Sequence, residues 1–179
     1  FILNENPISI LQIPGAKDCC IELNSMSKGF NMPGWRIGMC VSNATYISWI
    51  LKVKSNIDSG TFRGLQLAAA EALNTNNKAW HHEFNINVYR RRRNIAAEIM
   101  RTVDCRYDDK QVGMFLWGKI PEKYNNAEEL TERILHEARV FVTPGFIFGT
   151  NGMRYIRISL CAQDEKMQEA LNRIKNIIW

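Results

Sequence analysis

The chain has 179 residues, a net charge of +5, 46% hydrophobic and 23% charged residues, a balance that excludes a disordered acidic or basic tail and fits one sizeable folded domain or two small ones. Its apolar runs are too short to span a bilayer, so no transmembrane helix is expected, and no signal peptide is read. Five cysteines without a CxxC pair, the neighbours His81 and His82 that would point apart on a helix, and a lone His136 argue against a metal site, and the cysteines for a reducing, cytoplasmic setting.

In chain order, Phe1-Ile2-Leu3 without an initiating Met reads as the interior of a longer protein. Pro14-Gly15 is a turn signal. The apolar runs at 19–23 and 36–42 have strand length, and four of the cysteines lie in such strand-like apolar runs. Asn43-Ala44-Thr45 opens a helix with Tyr46, Trp49, Ile50 and Val53 at helical spacing, broken by Asp58-Ser59-Gly60. A second helix runs through Leu65, Ala68, Ala69, Ala72 and Leu73 into the Asn-rich stretch 74–77. A long helix is predicted over 79–102, then strands at 105–107 and 113–120, the latter with Phe115 and Trp117 on one face. Asn126 to Glu129 resembles a capping box, opening a helix with Leu130, Ile134, Leu135 and Ala138 on one face. Strands follow at 140–142 and 155–161, then a last helix over 164–178 with Met167, Leu171, Ile174 and Ile178 in phase. The composition shifts near 74–80, which divides the chain into 1–80 and 81–179.

Much of the positive charge sits in Tyr89-Arg90-Arg91-Arg92-Arg93. A nucleic-acid patch is one reading. The preferred one is a solvated helix face, opposite the apolar positions Ile86, Tyr89, Ile95, Ala96 and Ile99.

The stretch 25–38, SMSKGFNMPGWRIG, carries the chemistry. A lysine forms a Schiff base with a carbonyl once its amine loses a proton. An arginine grips a phosphate through two parallel hydrogen bonds, and a nearby serine adds a hydroxyl. Together they suit an aldehyde that carries a phosphate, which describes pyridoxal phosphate. In the strand YIRIS, Tyr155, Arg157 and Ser159 share one face, and Ile156, Ile158 and Leu160 the other. The isoleucine face needs a core, so Arg157 is free to line a site. Arg154, the rival, falls on the isoleucine face near the strand start.

The string Ser25-x-Ser27-Lys28, a short loop, then Gly34-Trp35-Arg36-x-Gly38 closely resembles the lysine motif of the class I/II aminotransferases, pyridoxal-phosphate enzymes of fold type I. The segment 54–60, Pro144-Gly145 with Phe148-Gly149, and Tyr155 to Ser159 resemble further family segments in the family's order. The resemblance implies that Lys28 is catalytic and bonds the cofactor. It implies that Ser25, Ser27 and Arg36 complete the cofactor site, with Ser25 and Arg36 on the phosphate, and that Arg157 binds the substrate carboxylate.

By the same resemblance the fold is α/β, the C-terminal portion of a fold type I enzyme. Residues 1–80 would be the last strands and helices of the large domain, and 81–179 the small α/β domain. The family's ring-binding residues precede the lysine motif by more than this chain contains, so the fragment by itself is expected to be inactive. The parent is expected to be a homodimeric aminotransferase that moves an amino group between an amino acid and a 2-oxo acid, with no nucleic-acid or membrane partner. The alternatives are a β-lyase of sulfur amino acids and a cofactor-sensing domain of a transcription regulator.

Overall fold

In the computed structural model, residues 2–4, 6–74 and 78–179 are described. They gather into two units, Leu3–Asn85 and Ile86–Trp179. The expected features at Phe1 and at 75–77 lie outside the described residues.

The first unit is organised around a two-stranded antiparallel ribbon. Strand β1 (Glu22–Ser25) faces β2 (Gly38–Val41), with Glu22 opposite Val41 and Ser25 opposite Gly38. The first strand starts later than the sequence predicts. Gly15 takes a left-handed conformation (φ +79°), and the chain continues as the helical turn α1 (Ala16–Cys19), which consumes the start of the expected strand. Gly38 is required by contact, because a Cβ there would meet the Asn24 carbonyl oxygen at 2.7 Å.

Between the strands lie the single helical turn α2 (Met26–Gly29) and a 3-10 turn, Pro33–Trp35. Met26 and Met32 are buried with Ala69 in a small core, against which Phe30, Ile37, Met39 and Ala72 pack. The helix α3 (Ala44–Ile57) begins where expected, since the Asn43 side chain accepts a hydrogen bond from the Tyr46 N–H. None of its residues is buried: Trp49 is 61% and Ile57 77% exposed. The apolar stripe predicted there is real in spacing but uncovered. Helix α4 (Arg63–Leu73) buries only Ala69.

The long helix expected over 79–102 is wound in three ways: α5 (Lys78–His81), a π-helical segment His82–Val88, and α6 (Tyr89–Thr102). A π-helix bonds residue i to i+5, which shifts every later side chain around the axis relative to an unbroken α-helix.

The second unit is a three-stranded antiparallel sheet in the order β3-β5-β4, formed by β3 (Phe115–Lys119), β5 (Tyr155–Ser159) and β4 (Thr143–Pro144). The strand expected at 105–107 is reduced to one bridge, Arg106 to Lys119. The strand expected at 140–142 moves to Thr143–Pro144, after Arg139 turns the chain through a left-handed conformation (φ +55°). Asn126 caps α7 (Ala127–Arg133) by accepting from the Glu129 N–H at 3.0 Å. The reciprocal bond of Glu129 goes to the Asn125 N–H, one residue earlier than in the standard box. The helix continues as a π-helical segment, Ile134–Ala138.

The core of this unit takes Met100 from α6, Leu116 from β3, Leu130 from α7, Ile156 from β5, and Leu171 and Ile174 from α8 (Asp164–Lys175), all 1% exposed or less. Each such side chain contributes about 1.5–3 kcal/mol through burial. Gly118 lets α6 approach the sheet, because a Cβ there would meet Met100 Sδ at 2.5 Å. Ile178, expected to join the last helix's apolar face, lies beyond the helix end and is 91% exposed.

The arginine run is not simply a solvated face. Arg91 and Arg92 pair with Asp164 at 3.1 and 2.8 Å, Arg92 also bonds the Leu160 carbonyl at 3.3 Å, and Arg93 bonds the Asp109 carbonyl. The two pairs with Asp164 hold α6 to the first turn of α8. All five cysteines are free. Only Cys105 is buried, and burial pushes its thiol up to about 12; Cys40 alone lies within a strand. Among the described residues no helix is long and apolar enough to cross a membrane.

Candidate functional site

The lysine turn is built from its own sequence. Ser25 ends β1 and caps α2, its hydroxyl accepting from the Ser27 N–H at 3.2 Å. That cap turns the chain sharply, so Ser27 and Lys28 follow in one helical turn. Met26 points down into the small core and is 1% exposed. Lys28 lies on the exposed side.

Arg36 returns to the same place by a strained route. Its backbone is left-handed (φ +49°, ψ 44°), a conformation costing a non-glycine residue roughly 1–2 kcal/mol. Such strain is commonly retained where a side chain must be aimed. Its Nη1 reaches Ser27 Oγ at 3.4 Å and the Pro33 carbonyl oxygen at 3.2 Å. Both acceptors are neutral, and among the described residues Arg36 makes no ion pair. Ser25, Ser27 and Arg36 line a single open hollow of about 470 Å³ with Asn24, Ile37 and Gly38. An uncompensated guanidinium beside two hydroxyls is the donor set a phosphate dianion needs. The residues present therefore fit the phosphate of the expected cofactor. Of the motif glycines, only Gly38 is in a tight approach; Gly29 and Gly34 face open space.

A second hollow of about 450 Å³ shares the Ile37-Gly38 wall and is bordered by Lys54, Asp58, Gly60 and Gln66. Lys54 Nζ lies 2.7 Å from the Asp58 carboxylate, and the Gly60 N–H donates to it at 3.1 Å. Both bonds, Lys54 first, hold the Asp58 carboxyl below its usual range.

In the second unit, β5 presents its two faces as predicted: Ile156, Ile158 and Leu160 are buried, whereas Tyr155 and Ser159 are exposed. Arg157 sits in the central strand, opposite Trp117 of β3 and Thr143 of β4. Its guanidinium carbon stands 4.0 Å from the Phe115 ring centre and 4.2 Å from that of Phe148. Its buried Nε has no hydrogen-bond partner, and among the described residues Arg157 makes no ion pair. A buried, unpartnered donor on a guanidinium held between two rings is poised for a carboxylate. Arg154 is occupied otherwise: it bonds the carbonyls of Pro121, Tyr124 and Asn125 and the Glu122 carboxylate, stapling the 121–125 loop.

Sequence reasoning placed Phe115 on a sheet face but did not assign it or Phe148 to Arg157. The available signal was the shared parity of Phe115 and Trp117, which puts both on the Arg157 side of the sheet. Phe148 is delivered by a loop that closes because Gly145 and Gly152 touch backbone to backbone, where neither could carry a Cβ.

The chain matches the family described as aminotransferase class I and II over residues 5–174. It is 43% identical over 173 residues to the LL-diaminopimelate aminotransferase of Aquifex aeolicus, and 40% identical over 174 residues to that of Oleidesulfovibrio alaskensis. Each match covers 97% of this chain and 44% of the relative, so the chain spans less than half the length of these relatives. Among solved structures it resembles an aminotransferase from Staphylococcus aureus (TM-score 0.81, 34% identity, 98% of this chain and 46% of that one). It also resembles the aromatic aminotransferase from Pyrococcus horikoshii (TM-score 0.84, 26% identity, 98% and 47%). The fold is accordingly a partial fold type I architecture, as the sequence predicts.

Proposed function

The chain belongs to the class I and II aminotransferases, and on that footing we propose that it is the lysine-bearing portion of a pyridoxal-phosphate-dependent aminotransferase, with residues 1–80 from the large domain and 81–179 forming the small one. The observation that carries this reading is the hollow shared by Ser25, Ser27 and Arg36, with Ser27 one residue before Lys28 in the same turn. Arg36 and the two hydroxyls hold the phosphate. Lys28 anchors the cofactor through its ε-amine. When bound, the cofactor supplies an electron sink for the carbanion character that develops at the substrate Cα.

The chain's own residues then have separate tasks. Arg157 binds the substrate α-carboxylate through a two-pronged contact and so fixes the direction of the Cα–H bond. The Lys28 amine, once free, takes the proton from Cα as a general base. Phe115 and Phe148 hold the Arg157 guanidinium and shield it from water.

The curated relatives are LL-diaminopimelate aminotransferases, and that shared name supports LL-diaminopimelate as the amino-acid substrate, with a 2-oxo acid as its partner. The proposal extends to a cytoplasmic, homodimeric parent; the uncovered apolar side chains of α3, among them Trp49, Val53 and Ile57, support a further covering surface. The test is steady-state assay of the full-length parent with LL-diaminopimelate against aromatic and dicarboxylic amino acids. Turnover of LL-diaminopimelate at least tenfold more efficient, abolished by Lys28→Ala, is expected. Preference for another donor overturns the substrate, and full turnover by Lys28→Ala overturns the enzyme reading.

A further inference from the structure

The amide group of Asn85 is fully buried, at 0% exposure, far along the chain from the lysine motif. Its Nδ2 donates to the Gly29 carbonyl oxygen at 2.5 Å, while its Oδ1 has no partner among the described residues. Its own backbone carbonyl accepts from the Leu3 N–H at 3.0 Å. Gly29 ends α2 and directly follows Lys28. Two other carbonyls of that short turn, those of Met26 and Lys28, accept locally from the Phe30 N–H. The Gly29 carbonyl is the terminal acceptor that a single turn cannot satisfy within itself.

A buried carboxamide with one unsatisfied end costs about 1–3 kcal/mol, and an isosteric Leu would fill the same volume without that cost. Packing therefore does not explain an asparagine here; the bond to Gly29 does. Two further features place it. Asn85 lies within the π-helical segment His82–Val88, whose i+5 winding rotates it away from its α-helical direction. The rings of Phe30, Trp80 and Phe84 stack in series next to it, 6.4 and 5.3 Å between centres and nearly parallel, clamping the same helix to the residue after Gly29.

We infer that Asn85 is a positioning residue for Lys28: the π-helical turn exists to aim its carboxamide at Gly29 and fix the end of the lysine turn. The inference rests on Lys28 being the catalytic lysine, but the bond itself is read without cofactor or substrate. Asn85 acts through the Gly29 carbonyl. Its loss frees the turn and spreads the directions that the Lys28 side chain samples.

The experiment compares Asn85→Leu with the unaltered full-length parent. Amide hydrogen exchange without cofactor should accelerate about tenfold at Lys28 to Asn31 and stay unchanged across α4, as expected when one hydrogen bond is lost locally. In the loaded enzyme kcat should fall about tenfold with KM changed less than twofold, because orientation of the base is lost and carboxylate binding is not. Unchanged exchange at Lys28 to Asn31 overturns the inference. So does equal acceleration through α4, which marks a general loss of stability. Should the variant not fold, the Asn85 side-chain protons of the unaltered protein are measured. They should exchange at least about a hundredfold slower than in the unfolded chain, and unprotected protons overturn the bond. Reductive labelling of a different lysine overturns the underlying reading while leaving these exchange results as they are, so the two failures are distinguishable.

Discussion

The Arg157 guanidinium carbon lies over the Phe115 ring, 4.0 Å from its centre, on the side of the sheet opposite the buried isoleucines. Alternation along β5 separates the two faces, and the register that sets Trp117 against Arg157 brings Phe115 alongside as the diagonal neighbour. Phe148 closes the other side at 4.2 Å. A cation between two rings is held without being neutralised, which leaves its hydrogen-bonding edge for a carboxylate.

Removing one wall of that clamp should weaken substrate binding rather than chemistry. In the full-length parent, Phe148→Leu is expected to raise KM for the amino acid about three- to tenfold, the loss of one cation–π contact, with kcat nearly unchanged. Phe148→Tyr, which keeps a ring, should restore KM. A Leu variant with unaltered KM would show that the ring does not hold Arg157.

Arg36→Lys keeps the charge but loses the fork. Cofactor dissociation should become about tenfold easier, since one charge-assisted hydrogen bond is lost. The circular dichroism of the variant should match that of the parent. Equal cofactor retention would remove Arg36 from the phosphate site.

Asp164 gives the second unit an acid-sensitive tie. The hydrogen bond from Arg92, then that from Arg91, holds its carboxyl below the ordinary value. A depressed folded-state value contributes stability that is present above the unfolded value near 3.8 and disappears as pH falls through the folded one. Asp164→Asn should therefore cost about 0.5–1 kcal/mol at pH 7, allowing for solvent screening. The two proteins should converge in stability in acid well below 3.8, once the pH has passed the lowered folded value. Urea unfolding at both pH values measures it; a gap that persists in acid contradicts the pairing.

The uncovered stripe of α3 should drive association when this chain is isolated. Trp49, Leu51, Val53 and Ile57 are all more than half exposed, and both ribbon strands are edge strands. Sedimentation velocity should show concentration-dependent oligomers, reduced by Trp49→Glu with Val53→Lys. A monodisperse monomer across the concentration range would refute this.

How much of this was legible depended on whether a short stretch decided its own fate. The Asn43 cap, the α3 start and the two faces of β5 follow from local chemistry and spacing, and the structure repeats them. The string 25–38 singled out Ser25, Ser27 and Arg36 by residue type, and the structure brings the three to one hollow. What failed was set at a distance or by a single backbone angle. Gly15 and Arg139 reversed the chain and moved two strands, and the arginine run found Asp164 more than seventy residues away. No periodicity announces a π-helical turn, and nothing in the local pattern singles out Asn85. Its meaning depends on Gly29, 56 residues earlier.

Lys28 carries the central claim, and the covalent link to the cofactor proposed for it is the most direct thing to measure. The full-length parent is loaded with pyridoxal phosphate, reduced with borohydride, digested and sequenced by mass spectrometry. The label is expected on the peptide containing SMSKGF, at Lys28 alone. A label at Lys17, Lys54 or any other lysine, or none at all on a protein that retains the cofactor, would contradict the assignment.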